Sequence, residues 1–202
     1  MQTQQRFYTP EEYLSLEEQA SFRSEYKDGE VVPMTGGSIN HNRITGNIYA
    51  FLKYTLRGKK LEAFISNLRL WIPRYRIYTY PDVFVIAGEP VFQGSRTDTV
   101  TNPCLIIEIL SRSTQDYDRT DKFKYYRSLP TLHEYILVDQ YAIGIEHYTK
   151  LEDGSWRFRE YDAETNAISF ATVGLELAMN DLYEGVTFEQ QADEETEPSV
   201  EP

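Results

Sequence analysis

The chain has 202 residues, 41% hydrophobic and 26% charged, which suits one domain with a core of its own and excludes a chain disordered throughout. The single cysteine, Cys104, excludes an internal disulfide framework and points to the cytoplasm. The formal net charge of −12 argues against an extensive basic face of the kind nucleic acids usually meet.

Part of that charge is local, because Glu189 to Pro202 hold six acids and no base. The expected organisation is a domain over residues 1–188 and an acidic, disordered tail over 189–202. No stretch approaches the roughly 18 apolar residues of a spanning helix, and the glutamine-rich start offers no signal-peptide core. No membrane role is expected.

Thr9-Pro10-Glu11-Glu12 predicts a helix start, with threonine as cap, proline in the first turn and Glu12 completing a capping box. That helix should run to about Gln19. Asp28-Gly29 inside Phe22 to Met34 predicts a hairpin. Gly36-Gly37 breaks the chain, Ser38 caps a second helix, and Ile44, Ile48, Phe51, Leu52 and Leu56 follow helical spacing up to Gly58. Strands are expected over Leu61–Ser66, Leu68–Ile72 and Val83–Ala87, and a loop over Gly88–Asn102. Pro103–Leu110 reads as a strand covered on both faces. A third helix should span about Tyr117 to Ser128 and stop near Pro130. Strands over Glu134–Asp139, Ile143–Thr149 and Trp156–Tyr161 complete an α/β (α+β) domain, its helices packed on one central sheet.

Chemistry concentrates in three segments. In Cys104-Leu105-Ile106-Ile107-Glu108-Ile109-Leu110 a carboxylate shares a face with Ile106 and Leu110. Buried there it must protonate, pair or bind a metal; at the end of the strand it would simply be wet. Asp82 follows Pro81 at the mouth of the next apolar strand, as a turn residue or as a second carboxylate within one cation's reach. Asp118, Lys122 and Tyr126 share one helix face, as a surface pair or with Lys122 turned towards the carboxylates. Three scattered histidines and one cysteine give no zinc spacing.

The segments Glu25-Tyr26-Lys27-Asp28-Gly29-Glu30, Ser38 with His41, Pro81-Asp82-Val83, Glu108-Ile109-Leu110-Ser111-Arg112-Ser113-Thr114, Tyr117-Asp118-Arg119 with Lys122 and Tyr126, and Glu134-Tyr135-Ile136-Leu137-Val138-Asp139 stand in an order that resembles the Uma-two family of restriction-endonuclease-like proteins, within the PD-(D/E)xK nucleases. The resemblance implies a restriction-endonuclease-like central mixed sheet flanked by helices, with an N-terminal helix and hairpin. It implies Mg²⁺ or Mn²⁺ held by Asp82, Glu108 and the Ile109 carbonyl, with Lys122 stabilising the phosphate. One position departs from the general nuclease pattern. Its lysine, two residues after the strand glutamate, is Leu110 here, and Lys122 fits a relocation to the following helix.

The same resemblance gives Glu25 a second metal or an orienting role. It gives His41 a phosphate contact or a proton-transfer role, a structural cap being the alternative. Asp118 and Tyr126 are auxiliary. The implied partner is nucleic acid, DNA before RNA, and a homodimer suits cleavage of two strands. Arg57, Lys59, Lys60, Arg69, Arg74, Arg76, Arg112, Arg119, Lys124 and Arg127 are candidates for a basic rim, and the 88–102 loop for a substrate contact. A non-catalytic module of the same fold, binding a protein or nucleic acid, is the competing reading; the acidic charge and Leu110 favour it.

Overall fold

The computed structural model describes residues 6–34 and 36–188; the expected acidic tail lies outside them. Helix α1 (Pro10–Glu17) closes the expected capping box: Glu12 N donates to Thr9 Oγ1, and Thr9 N to the Glu12 carboxylate. Strands β1 (Ser24–Lys27) and β2 (Glu30–Pro33) form the hairpin. Asp28 and Gly29 turn it with φ of 43° and 112°, the left-handed pair a two-residue hairpin turn requires. Ser38 caps α2 (Ile39–Thr55) by accepting from His41 N at 3.1 Å.

Strands β3 (Leu61–Ile65), β4 (Arg69–Ile72), β5 (Ile77–Thr79), β6 (Val83–Ala87), β7 (Thr99–Val100) and β8 (Pro103–Leu110) follow. A helical crossover is built from α3 (Gln115–Tyr117), a π-helical turn (Asp118–Lys122) and α4 (Phe123–Tyr126). Beyond it lie β9 (Glu134–Asp139), β10 (Ile145–Lys150), β11 (Trp156–Tyr161), β12 (Ala167–Phe170), β13 (Leu175–Ala178) and the short α5 (Met179–Leu182).

The main sheet has the order β11-β10-β9-β8-β6-β3. Its β8–β9 pair is parallel and its other pairs are antiparallel, so the crossover between β8 and β9 is obligatory. Alternation along the central strands sorts two cores. Val83, Val85, Leu105, Ile107, Ile109, Ile136 and Val138 face α2 and the β12–β13 hairpin. Phe84, Ile86, Ile106, Leu110, Tyr135 and Leu137 face the crossover and β4–β5. Burial on both faces is why these strands carry almost unbroken apolar sequence.

The fold class is as expected, but the single central sheet is not. A second sheet, β2-β1-β5-β4-β7, and a β12–β13 pair stand beside it. Strands β5 and β7 are too short to show a period of two, and β7 falls inside the segment expected to be a loop. Tyr13, Tyr26 and Tyr78, all fully buried, pack between α1 and this second sheet. The third helix begins and ends two residues earlier than expected, at Gln115 and Tyr126, and is interrupted by its π turn. Among the described residues, no helix is long and apolar enough to cross a membrane.

Candidate active site

The register of β6 on β8 builds the centre of the site. Val83 pairs with Ile107 in antiparallel fashion, so Asp82, one residue earlier, falls opposite Glu108, one residue later. Asp82 N donates to Glu108 Oε2 at 3.3 Å, and Ile109 N donates to Asp82 Oδ2 at 2.9 Å. The N–H and carbonyl of one strand residue leave the same edge, so the Ile109 carbonyl also faces the opening where β6 has ended. Pro81 fits at this entry because it has no N–H to leave unpaired in the ladder.

The crossover helix supplies the cation. Lys122 Nζ lies 2.9 Å from Glu108 Oε1 and 3.1 Å from Asp118 Oδ1; the Asp118 contact is an ion pair without hydrogen-bond alignment, because that oxygen has no directed donor. Tyr126 donates to Glu108 Oε1 at 2.6 Å, and Tyr135 donates to the Asp118 carbonyl at 3.0 Å. Asp118, Lys122 and Glu108 are 2%, 8% and 3% exposed, so the alternative of an ordinary surface pair fails. The π turn carries Asp118 and Lys122, and such wide turns occur often at functional sites.

From the other core layer, the first turn of α2 delivers His41, whose Nε2 is 3.2 Å from Asp82 Oδ2. These groups line a cleft of about 550 Å³ with Glu25, Lys27, Tyr117, Arg112 and Gln140. Glu25 accepts from Thr79 Oγ1 and meets Lys27 Nζ at 3.3 Å. Sequence reasoning singled out Glu25 but passed over Lys27; the signal was the two-residue spacing that puts both on one face of β1.

Charge is unevenly held. Burial, helped by nearby Asp82 and Asp118, pushes the Glu108 carboxyl up to about 8 against the pull of Lys122. Burial works the same way on Asp82, but the His41 imidazole, the Ile109 N–H and Lys122 outweigh it and hold that carboxyl below its ordinary value. Burial lowers His41, yet its bond and proximity to Asp82 leave it raised. Lys122 is raised well above normal despite its burial, because Glu108 and Asp118 surround it. Opposite displacements in a pair of adjacent carboxyls are a mark of functional sites.

The donor set fits a hard divalent cation. Asp82, Glu108 and Ile109 line the cleft, and Glu108 Oε2 has one long contact, from Asp82 N. Among the described residues, no group of three or more His, Cys, Asp or Glu side chains is placed to hold an ion. A cation here would therefore rest on two carboxylates, a carbonyl, waters and substrate, the mixture Mg²⁺ prefers.

Most of the expected basic rim is elsewhere. Of those cations Arg112 lines the cleft. Arg69 is buried, with Nε donating to Tyr80 and Nη2 near Asp98. Arg119 pairs with Glu146 at 2.7 Å, and Arg57, Lys59 and Lys60 line a separate pocket with Glu89. The 88–102 segment packs through β7 on β4 and donates from Gln93 to Tyr78; its residues are not among those lining the cleft.

Residues 10–180 match the family model described as "Uma2: Putative restriction endonuclease". The chain belongs to that family. It is 43% identical over 166 residues to "Uncharacterized protein sll1609" of Synechocystis sp., covering 82% of this chain and 94% of that one. It is 37% identical over 180 residues to "Uncharacterized protein slr1290" of the same organism, covering 89% and 93%. A crystal structure of a "putative nuclease" from Anabaena variabilis superposes with a TM-score of 0.72 at 18% identity, over 87% of this chain and 97% of that one. At that identity the likeness is one of fold, and the fold is nuclease-like. In this Uma2 chain Leu110, where the general nuclease pattern has lysine, is buried in the core cluster that also holds Tyr126 and Tyr135. The ammonium beside Glu108 comes from Lys122 instead.

Proposed function

We propose that this chain is a metal-dependent endonuclease that hydrolyses phosphodiester bonds of DNA. The observation that carries the reading is the convergence of Asp82 and Glu108, from adjacent strands, with Lys122 from the crossover. Asp82, Glu108 and the Ile109 carbonyl would hold Mg²⁺ or Mn²⁺, which when bound supplies a water of lowered pKa and charge to offset the phosphate. Ile109 N and His41 hold Asp82 ionised and fixed. Tyr126 fixes one oxygen of Glu108, leaving the other with a single long contact, from Asp82 N. Lys122, anchored by Asp118, sets a positive charge beside the place where phosphate charge develops.

A binding module of the same fold is the second reading, favoured by a Lys122 ammonium already engaged by two carboxylates. Plasmid cleavage with Mg²⁺ or Mn²⁺ separates the two. The wild type should nick or linearise the plasmid, and Asp82→Ala and Lys122→Ala should each lose at least about 100-fold. Equal cleavage by all three proteins would place the activity elsewhere. A wild type that binds DNA without cutting it would leave the binding module. Cleavage of both strands is simplest with two symmetry-related sites, so a homodimer on DNA belongs to the nuclease reading and sedimentation would detect it.

A further inference from the structure

A nuclease cleft must grip the substrate backbone as well as cut it, and the cations available for that task are few. Lys122 is buried and faces two acids. His41 is paired with Asp82. Arg112 lies over the exposed Tyr141 ring, 5.0 Å from its centroid, on a surface loop. Lys27 differs from all three. Its Nζ sits 3.6 Å from the centroid of the Tyr117 ring and 3.3 Å from Glu25 Oε2. Its side chain is 25% exposed and lines the cleft.

Two neighbours therefore fix the direction of this ammonium. Tyr117 is carried by α3, immediately ahead of the π turn that holds Asp118 and Lys122, so the Lys27 position is tied to the metal-binding end of the same cleft. Glu25 is itself held by Thr79 Oγ1. An ammonium has three donors. Glu25 and the ring stand on two sides of it, and the exposed quarter of the side chain is left to a ligand in the cleft. A lysine immobilised beforehand loses less side-chain entropy on gripping an anion than a free surface lysine does.

We propose that Lys27, seated on Tyr117 and held by Glu25, forms a phosphate subsite that grips a backbone phosphodiester flanking the one to be cut. The inference rests on the nuclease reading for its substrate class, but it concerns binding, so the two can fail separately.

The test is anisotropy of a short labelled DNA, single-stranded and duplex, titrated with the full chain at several KCl concentrations, without divalent cation and with Mg²⁺. Lys27→Met should reduce the slope of log affinity against log salt by about 1 and weaken binding roughly ten-fold at low salt. Lys27→Arg should keep the slope, and Lys59→Met, in the separate pocket, should match the wild type. A melting curve for each variant reports folding. Wild-type slope and affinity in a folded Lys27→Met overturn the subsite, as does a wild type that binds neither DNA. If Lys27→Met changes the slope while the wild type cuts no DNA, the subsite stands and the nuclease reading falls. If cleavage is robust and the slope is unchanged, the nuclease reading stands and the subsite falls.

Discussion

Lys122 reaches back from the crossover to Glu108, 2.9 Å away, across a face on which both side chains are almost wholly buried. Removing the ammonium leaves Glu108 and Asp118 together in the core without their counter-charge. Lys122→Met should cost about 3 kcal/mol in urea unfolding, within the usual range for a broken buried pair. Adding Glu108→Gln should recover a large part of that loss while DNA cleavage stays absent. A single variant as stable as the wild type would mean that the two acids do not depend on Lys122.

The raised Glu108 carboxyl makes a separate claim about cation binding. With its value raised by burial to about 8, this group takes up a proton far more readily than an ordinary carboxylate, and a divalent ion displaces whatever proton it holds. Apparent Mg²⁺ affinity should therefore climb with pH, by up to about ten-fold per unit, and level off above about 8. Calorimetry in buffers of different ionisation enthalpy should show net proton release on Mg²⁺ binding at pH 7. Flat affinity from pH 6 to 8 without proton release would show that Glu108 is already ionised.

Sequence alone located this pair but not its setting. Asp82 and Glu108 were legible because acids at the ends of apolar strands are costly unless employed. Lys122 was legible through its four-residue spacing from Asp118 and Tyr126. The register that sets Asp82 opposite Glu108 depends on pairing between β6 and β8, which periodicity does not encode. Glu25 and Lys27 share a face of β1, but their convergence with Tyr117 of α3 joins a sheet to a helix some ninety residues further along the chain, which no local pattern announces. β12, β13 and α5 escaped notice because each spans four residues. The basic rim was misjudged because a count of arginines does not show which are spent on Glu146, Asp98 or Tyr80.

Glu134 gives a prediction away from the cleft. It is fully buried and accepts from Ala171 N at 2.9 Å, Thr172 N at 2.7 Å and His147 Nε2 at 2.8 Å. Burial raises its carboxyl, but these donors outweigh burial and leave it below the ordinary value. The sign follows from linkage: with a depressed folded value, the unfolded chain binds the proton more readily. The stabilisation is therefore present above the unfolded value of about 4.3 and lost as pH falls through the lower folded one. Glu134→Gln should destabilise at pH 7 by about 2 kcal/mol and flatten the acid limb of stability below about pH 5. An unchanged acid limb would assign the acid sensitivity to other carboxylates.

His41 tests the support of the other carboxylate. Its Nε2 is 3.2 Å from Asp82 Oδ2, and the Thr45 hydroxyl anchors its turn by donating to the His41 carbonyl at 2.7 Å. Without the imidazole, burial acts on Asp82 with less opposition, so its carboxyl should rise towards the ordinary range. Partners of this kind orient a ligand and raise its affinity for metal, and their loss typically costs 10- to 100-fold. His41→Ala should therefore weaken Mg²⁺ binding by about that factor and lower kcat at subsaturating metal, with DNA affinity in metal-free buffer nearly unchanged. His41→Gln, which can still donate to Asp82, should recover part of the metal affinity. The alternative of a cap predicts something different. The capping bond runs from His41 N to Ser38 Oγ, and the backbone donor survives both substitutions. A loss of thermal stability without a change in metal affinity would therefore restrict His41 to packing, and would remove it from the site.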